Sequence, residues 1–323
     1  VTQSGGCVAQ HRKLDPMKTT DSTPVSGTQH TLQHGQYTAS IASVGASLRY
    51  LRHDDRDLVL PYDANEVRPF YRGAVLAPWP NRVVDGKYTF DGAAHQLPLT
   101  EPERLHALHG LLVWQDWALE EKTDATVRLS AEIVPQLGFP YRLQVEVLYA
   151  LDDAGLHTTI SAVNPGPSAA PYGTSAHPYL LGGDGTVDAW TLTVPADQVL
   201  EVTEDRLIPT RLSPVDTTFD FRSPRMIGST FVDHAFTGIR YDVGVATVRV
   251  TGPDGRGAAV SFGPDCPWVQ IHTADQPKDA SISRLGLAAE PMTCPPDAFN
   301  SGTDLIVLQP GEFHSVGWLI HSV

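Results

Sequence analysis

Apolar and polar residues alternate one by one through several separate runs of this chain, and that alternation restricts those runs to half-buried β-strands. In residues 125–133, Ala125, Val127, Leu129, Ala131 and Ile133 alternate with Thr126, Arg128, Ser130 and Glu132. Leu143, Val145, Val147, Tyr149 and Leu151 repeat the pattern, and so do Leu156, Thr158, Ile160 and Ala162. Between the last two runs stands Asp152-Asp153-Ala154-Gly155, so together they predict a hairpin. Asp91-Gly92 and Asp254-Gly255 read as further two-residue hairpin turns, because Asp and Gly tolerate the positive φ such turns need. No stretch carries a long 3.6-residue period, and residues 110–120, with Trp114 and Trp117, read equally well as strand and loop. Twenty-six prolines and 27 glycines punctuate the rest, which favours many short strands over long helices. The expected fold class is all-β: a large antiparallel β-sandwich of many strands with few short helices.

Residues 1–28 are polar, lack a period, and bury too little apolar surface to offset the entropy of ordering, so they are expected to form a flexible tail. Residues 29–323 show neither a linker nor an internal repeat, and one domain is expected there. Lys plus Arg is 23 against Asp plus Glu 37, a net charge of −14 with no basic run. That balance argues against nucleic acid and anionic membranes and suits a neutral small molecule. There is no apolar run of membrane-spanning length, and the first residues lack the apolar core of a secretory signal; a soluble, cytoplasmic protein, monomer or homodimer, is expected. Cys7, Cys266 and Cys294 are odd in number, widely spaced and without metal-ligand spacing to the histidines, so a reduced compartment and no metal are expected.

Four segments break the strand pattern with polar groups set among Gly, Pro and aromatic residues: residues 77–86 (APWPNRVVDG), 105–117 (LHALHGLLVWQDW), 171–180 (PYGTSAHPYL) and 285–300 (LGLAAEPMTCPPDAFN). Loops on a rigid sheet commonly carry function. Mixed aromatic and polar residues suit a sugar, whose ring offers an apolar face and whose hydroxyls need fixed donors and acceptors. His177 stands out, because Pro178 restricts it to extended backbone and so fixes where its imidazole points.

These segments resemble the aldose 1-epimerase (mutarotase) family. The matching residues are Asn81, Arg82, Asp85 and Gly86; Leu108, His109 and Gly110; Asn164, Gly173, His177, Pro178 and Tyr179; Glu290, Pro296, Ala298 and Asn300; and the closing run LIVLQPGE, residues 305–312. Each motif alone is weak, but five in order from about residue 33 onward are specific. The resemblance implies an antiparallel β-sandwich and a cofactor-independent interconversion of the α and β anomers of a free aldohexose such as galactose or glucose. It implies that Glu290 is the base for the C1 hydroxyl and His177 the acid for the ring oxygen, the two facing each other across a sugar ring. It also implies that Arg82 and His109 bind the sugar and that Asp233 accepts a hydrogen bond from a hydroxyl. Asn81 and Gln270 complete the expected binding set, whereas Trp79 and Trp268 read as core. Pro291-Met292 follow Glu290 where the best-known galactose mutarotases carry Thr-Gln. The APWPNR segment differs from that of hexose-phosphate epimerases, while Arg72 near Arg82 leaves a phosphosugar open.

Acid–base chemistry fits the residue types. Imidazole starts near ~6.5, and burial among apolar neighbours raises a carboxylate from ~4.3 toward a useful base. Each residue also has a plainer reading. His177 packs a turn, His106 and His109 form a surface pair, Glu290 is a solvated strand end, and Arg82 pairs with Asp85. Two other functions compete: a non-catalytic carbohydrate-binding protein, and a glycoside hydrolase using Glu290 with Asp233.

Overall fold

The computed structural model describes residues 23–323, and its backbone is almost entirely strand and turn. Of the expected tail, residues 1–22 lie outside the described part. Ser26 is already buried and its hydroxyl donates to the Ala64 carbonyl at 2.9 Å. Among the described residues there is one short α-helix, Ala298–Ser301, besides two 3₁₀ turns, and no helix is long and apolar enough to cross a membrane.

Two large antiparallel sheets dominate. The nine-stranded sheet is built outward from the alternating runs: Thr126–Ile133 pairs with Leu143–Asp152, which pairs with Gly155–Val163, which pairs with Phe313–Ser322. Val127, Leu129, Ile133, Val145, Val147 and Ile160 all point into the core, as the period-two pattern requires. The predicted hairpin closes with Asp152 opposite Gly155, and the Asp91-Gly92 hairpin closes with Phe90 opposite Ala93. Asp254-Gly255 departs from expectation: Thr251 pairs with Gly257, so the turn spans residues 252–256. Its extra length is stabilised by the Gly252 amide donating to Arg256 O and the Arg256 side chain bonding Asp254. Residues 110–117 resolve as loop, with a strand starting at Ala118.

The six-stranded sheet runs in the order Tyr179–Leu180, Leu287–Met292, Trp268–His272, Asp233–Ile239, Ala196–Val202, Pro209–Pro214. Its strands Leu287–Met292 and Trp268–His272 are buried on both faces. Val269, Ile271, Ala289, Phe236 and Val199 face the main core shared with the larger sheet. On the other face, Ala235, Trp268 and Met292 form one small apolar cluster, and Tyr179, Ala274 and Ala288 form another. The polar residues between those clusters make the floor of a cavity. Trp79 and Trp268 are buried, as expected.

Candidate active site

Register puts four polar side chains side by side on that second face. Gln270 lies directly opposite Glu290 on one neighbouring strand and Ala235 on the other, and His272 lies opposite Asp233. Because side chains alternate, Gln270 and His272 share a face, and Glu290 and Asp233 join them there. All four line a cavity of about 420 Å³ together with Asn81, Arg82, His109 and His177. Every residue expected in the site is therefore brought to one place.

His177 arrives by a different route. Ser175 and Ala176 pair with Leu76 and Val75, and the His177 backbone continues the pairing to Ala74 O and Gly73 N. The imidazole stacks flat on Tyr179, with centroids 4.9 Å apart, and meets His109 edge-on at 5.1 Å. Its Nε2 lies 3.4 Å from Glu290 Oε1, and both side chains are almost wholly buried. This corrects the picture of the two groups facing each other across a ring, because no sugar ring fits between groups already in contact. They stand side by side, as suits two oxygens bonded to one anomeric carbon.

His109 is held by tight backbone. It sits at φ 62°, its amide donates to Asn81 O, and the Asn81 amide donates to its Nδ1 at 3.2 Å. With Nδ1 accepting, the ring proton is on Nε2, which is free to donate. The following Gly110 has φ +77°, and a Cβ there would lie 2.1 Å from Ala77 O, so only glycine lets the loop close against residue 77. Gly173 is required by proximity too, since a Cβ would meet Cys294 Sγ at 2.4 Å. Cys294 and Cys266 are buried free thiols; Cys7 lies outside the described residues.

The plainer reading of Arg82, a pair with Asp85, does not hold. Asp85 pairs with Arg206, while Arg82 forms a two-pronged pair with Glu101, Nε to Oε2 at 2.8 Å and Nη2 to Oε1 at 3.0 Å. Its Nη2 also lies 3.8 Å from Asp233 Oδ2. Arg104 donates to the same Glu101. The supposed surface pair of histidines dissolves as well: His106 and His109 are both buried, and His106 bonds Arg206 O. Arg72 packs against the Tyr179 ring and donates to Pro61 O, behind the cavity rather than in its lining. Asn164 and Asn300 staple turns through Leu308 O and Lys87 O respectively.

The electrostatics separate the groups. Burial pushes His177 down to about 3, assisted by His272, so it is neutral near pH 7. Burial also holds His109 well below the usual imidazole range. Burial raises Glu290 well above the usual carboxylate range, and the nearby Asp233 charge adds to the effect while Arg82 opposes it. Asp233 behaves oppositely: burial would raise it, but His272 and Arg82 outweigh that and keep it ionised. Burial thus favours the uncharged form of each member of the pair, the neutral imidazole of His177 and the carboxylic acid of Glu290.

Ten buried side-chain polar atoms among the described residues have no hydrogen-bond partner, and five belong to residues lining this cavity: Arg104 Nε, His177 Nδ1, Gln270 Oε1, His272 Nδ1 and Glu290 Oε2. Such atoms are rare in folded proteins, and their concentration here marks a polar ligand site. No group of three His, Cys, Asp or Glu among the described residues is placed to hold a metal ion. Sequence reasoning missed Glu101 and His272. His272 carried a usable signal, since it follows Gln270 by two residues on one strand; Glu101 lies in a loop and carried none.

The chain is similar to known proteins over most of its length. The family model for aldose 1-epimerase matches residues 28–321. An uncharacterised Escherichia coli protein, YihR, is 39% identical over 92% of this chain and 94% of its own. Galactose mutarotase of Rattus norvegicus is 31% identical over 61% of each chain. Among solved structures, a putative aldose 1-epimerase from Escherichia coli superposes with a TM-score of 0.80 at 23% identity, over 92% of this chain and 99% of that one. At that identity the superposition speaks for the fold: the galactose mutarotase-like β-sandwich.

Proposed function

The chain belongs to the aldose 1-epimerase family, and on that premise we propose that it interconverts the α and β anomers of a free aldohexose such as galactose or glucose. The observation that carries this reading is the buried 3.4 Å contact between His177 and Glu290 on the floor of a polar cavity. Mutarotation moves protons and no electrons, so it asks for one acid and one base near the anomeric carbon and for no cofactor.

Glu290 takes the proton of the C1 hydroxyl while His177 gives one to the ring oxygen, and the C1–O bond of the ring breaks to leave an open-chain aldehyde. Rotation about C1–C2 presents the other carbonyl face. On reclosure His177 takes back the proton from the attacking hydroxyl and Glu290 returns its own to the carbonyl oxygen. The cycle uses a single proton shared by the pair, on His177 when the ring opens. Neighbouring charges act on that transfer in both directions: Arg82 favours the Glu290 carboxylate and Asp233 the His177 imidazolium, whereas Asp233 opposes the carboxylate and His272 the imidazolium. The His109 Nε2–H and the Arg82 guanidinium are donors for sugar oxygens, while Asp233 and Gln270 are acceptors for hydroxyls.

Freshly dissolved α-D-glucose and α-D-galactose are expected to relax to their equilibrium rotation faster with the protein than without it, measured by polarimetry. If sugars across a broad aldose panel bind but none equilibrates faster, a binding protein replaces the enzyme; release of sugar from a glycoside points to a hydrolase. A second expectation concerns the residue that holds Arg82. Glu101→Gln replaces the two-pronged ion pair by a neutral contact, and KM is expected to rise about tenfold with kcat changed far less. An unchanged KM removes Glu101 from sugar binding.

A further inference from the structure

Asp233 is only half used by the protein. Its Oδ1 accepts from Gln270 Nε2 at 2.7 Å, but its Oδ2 has two cationic or donor groups just out of reach, Arg82 Nη2 at 3.8 Å and His272 Nδ1 at 3.9 Å. Hydrogen bonds to oxygen close at roughly 2.7–3.2 Å, so neither gap is a bond. All three residues line the same cavity, so a hydroxyl oxygen that settles beside Asp233 Oδ2 has a donor group on each of two sides. His272 Nδ1 is also buried and without a partner. A nitrogen that faces a carboxylate is stable there as N–H rather than as a bare lone pair, so His272 presents a donor toward the Asp233 oxygen.

We propose that His272 contacts the substrate, reading one sugar hydroxyl jointly with Asp233. The hydroxyl donates to Asp233 Oδ2 and accepts from His272 Nδ1–H and from the second N–H of Arg82 Nη2, whose other N–H is held by Glu101; His272 Nδ1 thereby gains the partner the fold does not supply. The placement follows from the sheet: His272 is directly opposite Asp233 and two residues from Gln270, on the side away from the core. On the other neighbouring strand it lies opposite Ala288 rather than Glu290, and the proposed contribution of its Nδ1 is choice among sugars. A site built to bond a hydroxyl discriminates strongly against a sugar that lacks it, because its buried polar atoms are then left unpaired. The inference rests on the mutarotase reading for the substrate class.

Calorimetric titration of the whole protein and of His272→Phe and His272→Gln with D-galactose, D-glucose and their monodeoxy derivatives tests it. The Phe variant is expected to bind a parent hexose about tenfold more weakly. One monodeoxy sugar is expected to bind wild type and variant equally, because it lacks the hydroxyl that His272 reads. Gln, which retains a donor, is expected to recover part of the loss and serves as the test if the Phe variant fails to fold. The same loss for every sugar, no loss at all, or no saturable binding of any aldose overturns the proposal. Polarimetry on the same samples separates the two readings. Accelerated mutarotation without the sugar-specific pattern leaves the enzyme and removes His272, whereas the pattern without acceleration keeps His272 and removes the enzyme.

Discussion

Glu290→Gln is expected to lower kcat for mutarotation by about 10²–10⁴-fold while raising the thermal midpoint of the protein. The loss follows from the role: an amide cannot take the C1 hydroxyl proton, and the contact with His177 no longer shares one. The gain follows from the setting. Glu290 is only 1% exposed, and burial together with Asp233 raises it well above its ordinary value. A carboxyl whose folded value is raised contributes stability that is full below the unfolded value and is lost as pH rises through the folded one. Glutamine has the same shape and does not ionise. The midpoint of the variant is therefore expected to exceed that of wild type by about 2–4 °C near neutrality, with a wider gap at about pH 8 than at about pH 5. Saturation kinetics by polarimetry and thermal melts at several pH values read both effects. Turnover within threefold of wild type ends the assignment of Glu290 as the base.

His177→Asn is expected to reduce kcat by a comparable factor of about 10²–10⁴ with KM within a few-fold of wild type, because the ring-oxygen proton is transferred only in the transition state. The pH profile of the unmutated enzyme adds a sharper test. Burial and His272 hold His177 down to about 3. A base whose folded value is depressed is favoured as its neutral form above the unfolded value, and that stability is lost as pH falls through the folded value. After subtraction of the spontaneous rate, kcat/KM is expected to stay flat between about pH 7.5 and about pH 5, where an exposed imidazole would titrate near ~6.5. At higher pH the rate is expected to fall as the shared proton leaves the Glu290 side. An inflection near the ordinary histidine value would mean that His177 is solvated and that the proton does not rest on Glu290.

Local pattern made some of this legible. The strand runs at 125–133, 143–151 and 156–162 lie in adjacent paired strands because side-chain alternation and turn chemistry act over a few residues. The family resemblance named His177, Glu290, Arg82, His109, Asp233 and Asn81; Gln270 was added as a lining residue, and all seven line one cavity. Partnerships were harder. Asp85 is the carboxylate nearest Arg82 in sequence, yet Glu101 takes the guanidinium, since what pairs is set by which loop folds back over the strand at Arg82–Val84. Asp254-Gly255 looked like a two-residue turn, but the strands stop pairing earlier and a longer loop forms.

The alternation of residues along the chain by itself determined that this protein is built of antiparallel strands, and its short motifs picked out polar groups that line one cavity. Only the tertiary structure decided that His177 and Glu290 touch rather than face each other across a ring, and that burial disfavours the charged form of each. The physical reason is range. Periodicity and turn preference are local properties of the backbone. Contact, desolvation and the charges that set where a proton sits depend on strands and loops from distant parts of the chain converging on one cavity.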